Sequence, residues 1–190
     1  MGLDMYLIRK KFVGAEYERR HVKGTIYITI NGKELPIDFD RVSYIEEKVG
    51  YWRKANAIHK YIVDNFNDGV DDCKDIWLSL EDLEILLDVC KKVKKSIKLV
   101  DGEVAESYTF NEKGEKVYRY GNGKVIEDIS VCEKLLPTTD GFFFGNTQYN
   151  EYYAQDIEDT IDILKKVIKE EKEQEKTTGF TNDIIYHASW

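Results

Sequence analysis

The chain has 190 residues, 42% of them hydrophobic and 34% charged, with 28 Lys and Arg against 36 Asp and Glu for a net charge of −8. A chain of this length buries roughly 70% of the surface its unfolded form exposes, so it needs no disulfide or metal staple, and this composition argues against general disorder. The acid excess argues against the dominant basic face that a nucleic-acid polymer demands, and no apolar run approaches the roughly 20 residues of a membrane span.

In chain order, Asp4 to Val13 reads as a strand that carries the basic cluster Arg9-Lys10-Lys11. Thr25 to Ile30 is rich in β-branched and aromatic residues, and Lys33 to Phe39 can return after Asn31-Gly32. That dipeptide tolerates positive φ at both turn positions and predicts an N-terminal hairpin. Val42 to Tyr51 reads as another strand. Ala55, Ile58, Ile62 and Phe66 then recur at helical spacing, which predicts a helix over Trp52 to Phe66. Cys73 to Leu78 is a short strand candidate.

Ser79 with Asp82 three positions on predicts a capping box, opening a helix whose stripe is Leu80, Leu83, Leu87, Cys90 and Val93. Residues 97–127 read as a polar excursion of two hairpin-like pieces, with turns at Asn111–Gly114 and at Gly121-Asn122-Gly123. Val131 to Leu136 is a helical turn stopped by Pro137, and Gly141 to Gly145 reads as a short buried strand. The last helix runs from about Asn150 to Gln174 on Tyr153, Ile157, Ile161, Leu164 and Ile168. Its stripe then stops, so the charged run 169–176 is expected to project into solvent. Asp183 to Trp190 is a closing strand. The expectation is a single α+β domain over residues 1–190, a mixed or antiparallel sheet with an N-terminal hairpin packed against about three main helices.

The cysteines, Cys73, Cys90 and Cys132, are odd in number and form no CxxC pair, which fits reduced thiols in a cytoplasm. The opening Met1-Gly2-Leu3-Asp4-Met5 has an early acid and no apolar run of a secretory signal. His21, His59 and His187 share no ligand spacing, so neither a metal nor another cofactor is expected. A calcium loop starting at Asp64 fails because Phe66 stands at its third position. No P-loop, Rossmann fingerprint, nucleophile elbow or HExxH is present, so an enzyme is not the favoured reading.

Three stretches together resemble a known family. They are Met1 to Leu7, the run Gly50-Tyr51-Trp52-Arg53-Lys54-Ala55-Asn56-Ala57-Ile58-His59-Lys60 with Asp71-Asp72-Cys73, and Gly141-Phe142-Phe143-Phe144-Gly145 followed by a Tyr-rich helix start and a Ser189-Trp190 end. The chain is similar to a family of small proteins encoded by bacteriophages and prophages. The resemblance covers most of the chain except residues 97–127. It implies a phage accessory protein acting in the cytoplasm of a bacterial host, and it supplies no catalytic mechanism.

The segment Tyr51 to His59 combines aromatic planes with directional polar groups. On a helix, Trp52, Asn56, His59 and Val63 share a face, while Arg53 and Lys54 fall in a first turn whose free N–H groups favour anions. Stacking from Trp52 or Tyr51, base-edge bonds from Asn56 and phosphate contact from Arg53 or Lys54 would hold a nucleotide-like ligand. The plainer account is a half-buried helix with Trp52 in the core and a satisfied His59. Asp71 and Asp72 are expected near the mouth of the pocket, and Tyr149 and Tyr152 at a surface or rim.

The leading expectation is a counter-defence protein that binds and sequesters a nucleotide-derived host signal. A protein-binding inhibitor using the acidic surface is the alternative, and a hydrolase of unknown type is the third. A homo-oligomer is compatible with each.

Overall fold

A computed structural model describes residues 2–13, 28–34, 41–114, 116–141 and 143–190. In chain order its elements are β1 (Asp4–Phe12), β2 (Thr29–Ile30), β3 (Lys33–Glu34), β4 (Tyr44–Arg53), α1 (Asn56–Phe66), β5 (Ile76–Leu78), α2 (Leu80–Ser96), β6 (Leu99–Phe110), β7 (Lys116–Ile126), α3 (Ser130–Leu135), α4 (Glu151–Thr178) and β8 (Asp183–Ser189). The fold is α+β, and its pairings are antiparallel.

Strands from both ends of the described chain build the main sheet, in the order β4-β1-β8-β5. One face carries Leu3, Met5 and Leu7 with β1, Trp52 from β4, and Tyr186 and Ala188 from β8, all buried. Alternation with period two explains this set. The helices cover that face. On α4, Tyr153, Ile157, Ile161, Leu164 and Ile168 are buried at three- and four-residue spacing. On α2, Leu83, Leu86, Leu87, Cys90 and Val93 do the same. A Cβ on Gly50 would stand 2.7 Å from Ile163 Cγ2, so this glycine sets how closely α4 approaches the sheet.

Local signals hold where they depend on near neighbours. The capping box forms, with Ser79 N–H donating to Asp82 Oδ2 (2.8 Å) and Asp82 N–H donating to Ser79 Oγ (3.1 Å). Asn31 and Gly32 both take positive φ, 51° and 75°, as a hairpin turn of the primed type requires. The hairpin it closes is β2–β3, a two-residue ladder in a sheet of its own. The outer arms, 25–27 and 35–39, lie outside the described residues.

Four expectations need correction. The helix expected from Trp52 starts at Asn56, because Trp52 and Arg53 pair with Met5 and Asp4 as the end of β4. Residues 97–127 form one long hairpin, β6–β7, rather than two short ones. Gly121 and Gly123 lie inside β7, where a Cβ would collide with Glu106 and Val104 across the ladder, so these glycines mark close packing and not a turn. Around Phe144 the segment from Gly141 is a loop, with Phe144 buried and its N–H bonded to Gly141 O; Phe142 lies outside the described residues.

The fourth is a single residue in the charged end of α4, Glu171, which is buried, whereas Lys169, Lys172, Glu173, Glu175 and Lys176 are exposed as expected. Arg9 lies on the buried face of β1, and its Nε, Nη1 and Nη2 reach Glu171, Glu47 and Glu170 at 2.6, 3.1 and 2.7 Å. Glu171, 1% exposed, also accepts from Asn182 N–H at 2.7 Å. A cation on an apolar face demands counter-charge, so this turn of α4 docks on the sheet before Gly179, at φ 78°, ends the helix.

Candidate functional site

The corner between β4 and α1 is where the segments that carried the family resemblance meet. Lys54 N–H donates to Leu3 O (2.8 Å), and Leu3 N–H donates to Phe143 O (3.1 Å). Asn56 Nδ2 donates to Phe144 O (3.0 Å) and Asn146 O (2.9 Å), while its Oδ1 accepts from Thr139 N–H (3.1 Å). The side chain of Asn56 is therefore spent on a distant loop, and it is 5% exposed.

Beside this corner opens a cleft of about 280 Å³. Arg53, Lys54 and Asn56 line it from the corner. Asn146 and Gln148 come from the loop, and Asn150, Tyr152, Gln155 and Asp156 from the start of α4. Lys54 holds a left-handed backbone, φ 62°, which a non-glycine residue adopts at a cost. Gly145, at φ 88°, passes close by, and a Cβ there would sit 3.3 Å from Lys54 Cβ. The corner thus turns sharply and places two adjacent cations at the cleft.

Two helix starts open on the same space. α1 begins with neither a side-chain cap nor an acid in its first turn. α4, 28 residues long, is capped by Asn150, whose Oδ1 accepts from Tyr152 and Tyr153 N–H (3.0 and 3.3 Å). The other amide atom, Asn150 Nδ2, is buried without a hydrogen-bond partner. Helix N-termini carry partial positive charge, which favours an anion, although Asn56, Ile58 and His59 N–H already donate to Lys54 O and Ala55 O, and α4 carries Glu151 in its first turn. The acid in the cleft opposes this weakly, because burial first and Asp159 second push the Asp156 carboxyl up to about 7.

The expected ligand residues divide into several groups. Arg53, Lys54, Asn56 and Tyr152 line the cleft, and Tyr152 is 63% exposed at its rim. Trp52 does not: it is buried, and its indole N–H donates to Thr160 Oγ1 (2.9 Å). It was placed on the ligand face only by extending α1 backwards, whereas strand alternation turns it into the core. Tyr51 points the opposite way, its hydroxyl donating to Asp4 Oδ1 (2.6 Å).

His59, 2% exposed, sits between the edges of Phe144 and Trp190. Its Nε2 lies 3.0 Å from Asp71 and its Nδ1 2.7 Å from the Tyr186 hydroxyl. A carboxylate only accepts, so Nε2–H donates to Asp71 and Nδ1 accepts from Tyr186. This buried relay clamps the loop after α1 to β8. His59 and Asp71 therefore lie outside the cleft, and Asp72 pairs with Lys74 on the surface. Tyr149 stacks on Tyr153, with centroids 5.0 Å apart, behind the cleft wall.

Gln148, Asn150, Gln155 and Asp156 went unread. Only Asn150 carried a local signal, as a helix start. Among the described residues no group of three His, Cys, Asp or Glu side chains converges as a metal site. Burial pushes the Cys90 thiol up to about 12, far from a nucleophile's range. Among the described residues no helix is long and apolar enough to cross a membrane. No family model, curated protein or solved structure matches the chain.

Proposed function

We propose that the chain binds, without turning over, a small nucleotide-like ligand whose phosphate sits at Arg53 and Lys54. The observation that carries this reading is the pair Arg53 and Lys54, side by side at one cleft of a chain whose net charge is −8. Two cations, two helix starts and a carboxyl raised to about 7 share that cleft. Asn146 Oδ1, Gln148 Oε1 and Gln155 Nε2 are held by Gln148 N–H, Ala105 N–H and Asp159. That leaves Asn146 Nδ2 and Gln148 Nε2 as donors and Gln155 Oε1 as an acceptor for a base edge, and Tyr152 offers a ring face at the rim. The cleft has no nucleophile paired with a base, which favours capture over catalysis. The resemblance to phage proteins supports the setting: sequestration of a nucleotide-derived signal inside an infected bacterium.

Calorimetric titration with AMP tests this. Wild type is expected to bind, and Arg53→Ala to lose about 1.5–3 kcal/mol of binding, the worth of a charge-assisted hydrogen bond. Arg53 is 60% exposed and its closest carboxylate oxygen, on Asp4, is 3.9 Å away, so the thermal midpoint should not move. Absence of nucleotide binding by the wild type would sink the reading. A salt-sensitive complex with one host protein would then favour the inhibitor alternative, for which the net charge is the motive.

A further inference from the structure

Lys54, Gly145 and Asn146 also border a second concavity, of about 390 Å³, whose far wall is the β6–β7 hairpin. Tyr108 and Tyr118 line that wall. They stand directly opposite each other in the ladder, with ring centroids 5.9 Å apart. Phe110 lies 5.5 Å beyond Tyr108 and Tyr120 lies 6.3 Å beyond Tyr118, so aromatic rings run along one face of this two-stranded sheet. Cross-strand aromatic pairs stabilise a hairpin by themselves. Pairing alone does not account for a concavity between these rings and the cation at the anion cleft.

Glu106 also borders the second concavity, but its carboxylate lies over Gly121, on the face of β7 opposite Tyr118 and Tyr120, and so stays clear of the ring faces. Ring faces and a shared lysine at the junction are the parts that hold a planar base attached to a phosphate.

We infer that the two concavities are the halves of one bipartite site centred on Lys54, and that the ligand carries a planar base on each side of its phosphate, which is the dinucleotide class. The inference rests on the nucleotide reading above and adds the second base to it. The left-handed backbone of Lys54 fits this arrangement, because it aims the junction residue at the boundary shared by both halves.

The test compares AMP with the linear dinucleotide pApA by calorimetry on wild type, Tyr118→Leu and Tyr108→Leu. A stacked base is worth about tenfold or more in affinity, so pApA is expected to bind wild type at least tenfold tighter than AMP. Tyr118→Leu should bring pApA to the AMP level while leaving AMP unchanged. Tyr108→Leu removes the facing ring and should weaken pApA about threefold or more, again without touching AMP. Amide exchange across β6–β7 that matches wild type in either variant shows that the loss does not come from a loosened hairpin. Equal binding of AMP and pApA, unmoved by either variant, overturns the second subsite and leaves the mononucleotide reading standing. Variants that weaken AMP as much as pApA also overturn it, because the hairpin would then act on the first cleft. If the wild type binds neither probe, both readings fall together.

Discussion

Tyr186, 1% exposed, gives its hydroxyl to His59, and His59 passes a hydrogen bond on to Asp71. Removing only the middle group leaves a buried hydroxyl without an acceptor, which costs about 1–3 kcal/mol. His59→Phe keeps a ring against Phe144 and Trp190, so packing is largely conserved and the lost acceptor dominates. The variant is expected to melt lower by about 2–4 °C for each kcal/mol lost. Adding Tyr186→Phe removes the orphaned hydroxyl and should recover most of that loss, since deleting both partners is nearly neutral. A melt unchanged in His59→Phe would show that the relay contributes nothing. Asn56 and His59 illustrate what was legible at this scale. Both stand out in the sequence as directional polar groups on the helix face they share with Val63. Their hydrogen bonds are nevertheless taken by Phe144, Asn146, Thr139 and Tyr186, contacts that helical periodicity cannot foresee.

Whole elements were legible wherever a repeat within a few residues decides the outcome. The stripes of α2 and α4, the Ser79 box and the Asn31-Gly32 turn are all of this kind. Gly121-Asn122-Gly123 has equally good turn chemistry. It became strand because Gly123 faces Gly102 in the ladder and lies beneath Val104, 6% exposed. A Cβ at Gly123 would come within 2.5 Å of Val104 Cγ2, the short branch of a stiff side chain. Gly123→Ala is therefore expected to cost about 1–3 kcal/mol by overpacking. The loss should fall on β6–β7 as faster amide exchange there, while α2 and α4 exchange as in wild type. Equal exchange rates in the variant and the wild type would mean that the hairpin tolerates the extra methyl. The burial of Glu171, alone in the otherwise solvent-facing end of α4, escapes the sequence for a related reason. Its partner, Arg9, is far away in sequence, and nothing near Glu171 announces a buried cation.

At the scale of the whole molecule, the sheet brings both ends of the described chain together, and the cleft lies where the β4–α1 corner meets the start of α4. Arg53, Lys54, Asn56 and Tyr152 of that cleft were legible in the sequence, whereas Asn146, Gln148, Gln155 and Asp156 arrive from elements whose docking the main sheet decides. The folded pKa of Asp156, about 7, lies above the ordinary 3.8, with burial the larger cause and Asp159 the smaller. The folded state therefore holds this proton more tightly than the unfolded chain does. Stability from this group is fully present below about 3.8 and is lost as pH rises through about 7. Ligand binding follows the same sign: above about 7 the cleft gains a negative charge beside Arg53 and Lys54, which opposes a phosphate. AMP affinity in the wild type is expected to fall between pH 6 and pH 8 by about threefold to tenfold, a surface-screened charge effect. Asp156→Asn keeps the shape of the protonated acid and removes the titration. Its affinity should match wild type at pH 6 and exceed it at pH 8, and its melting temperature should rise relative to wild type only at the higher pH. The phosphate's own second ionisation, near pH 6, acts on both proteins alike and cancels in the comparison. Parallel pH profiles for the two proteins would remove Asp156 from the electrostatics of the cleft and leave Arg53 and Lys54 to act alone.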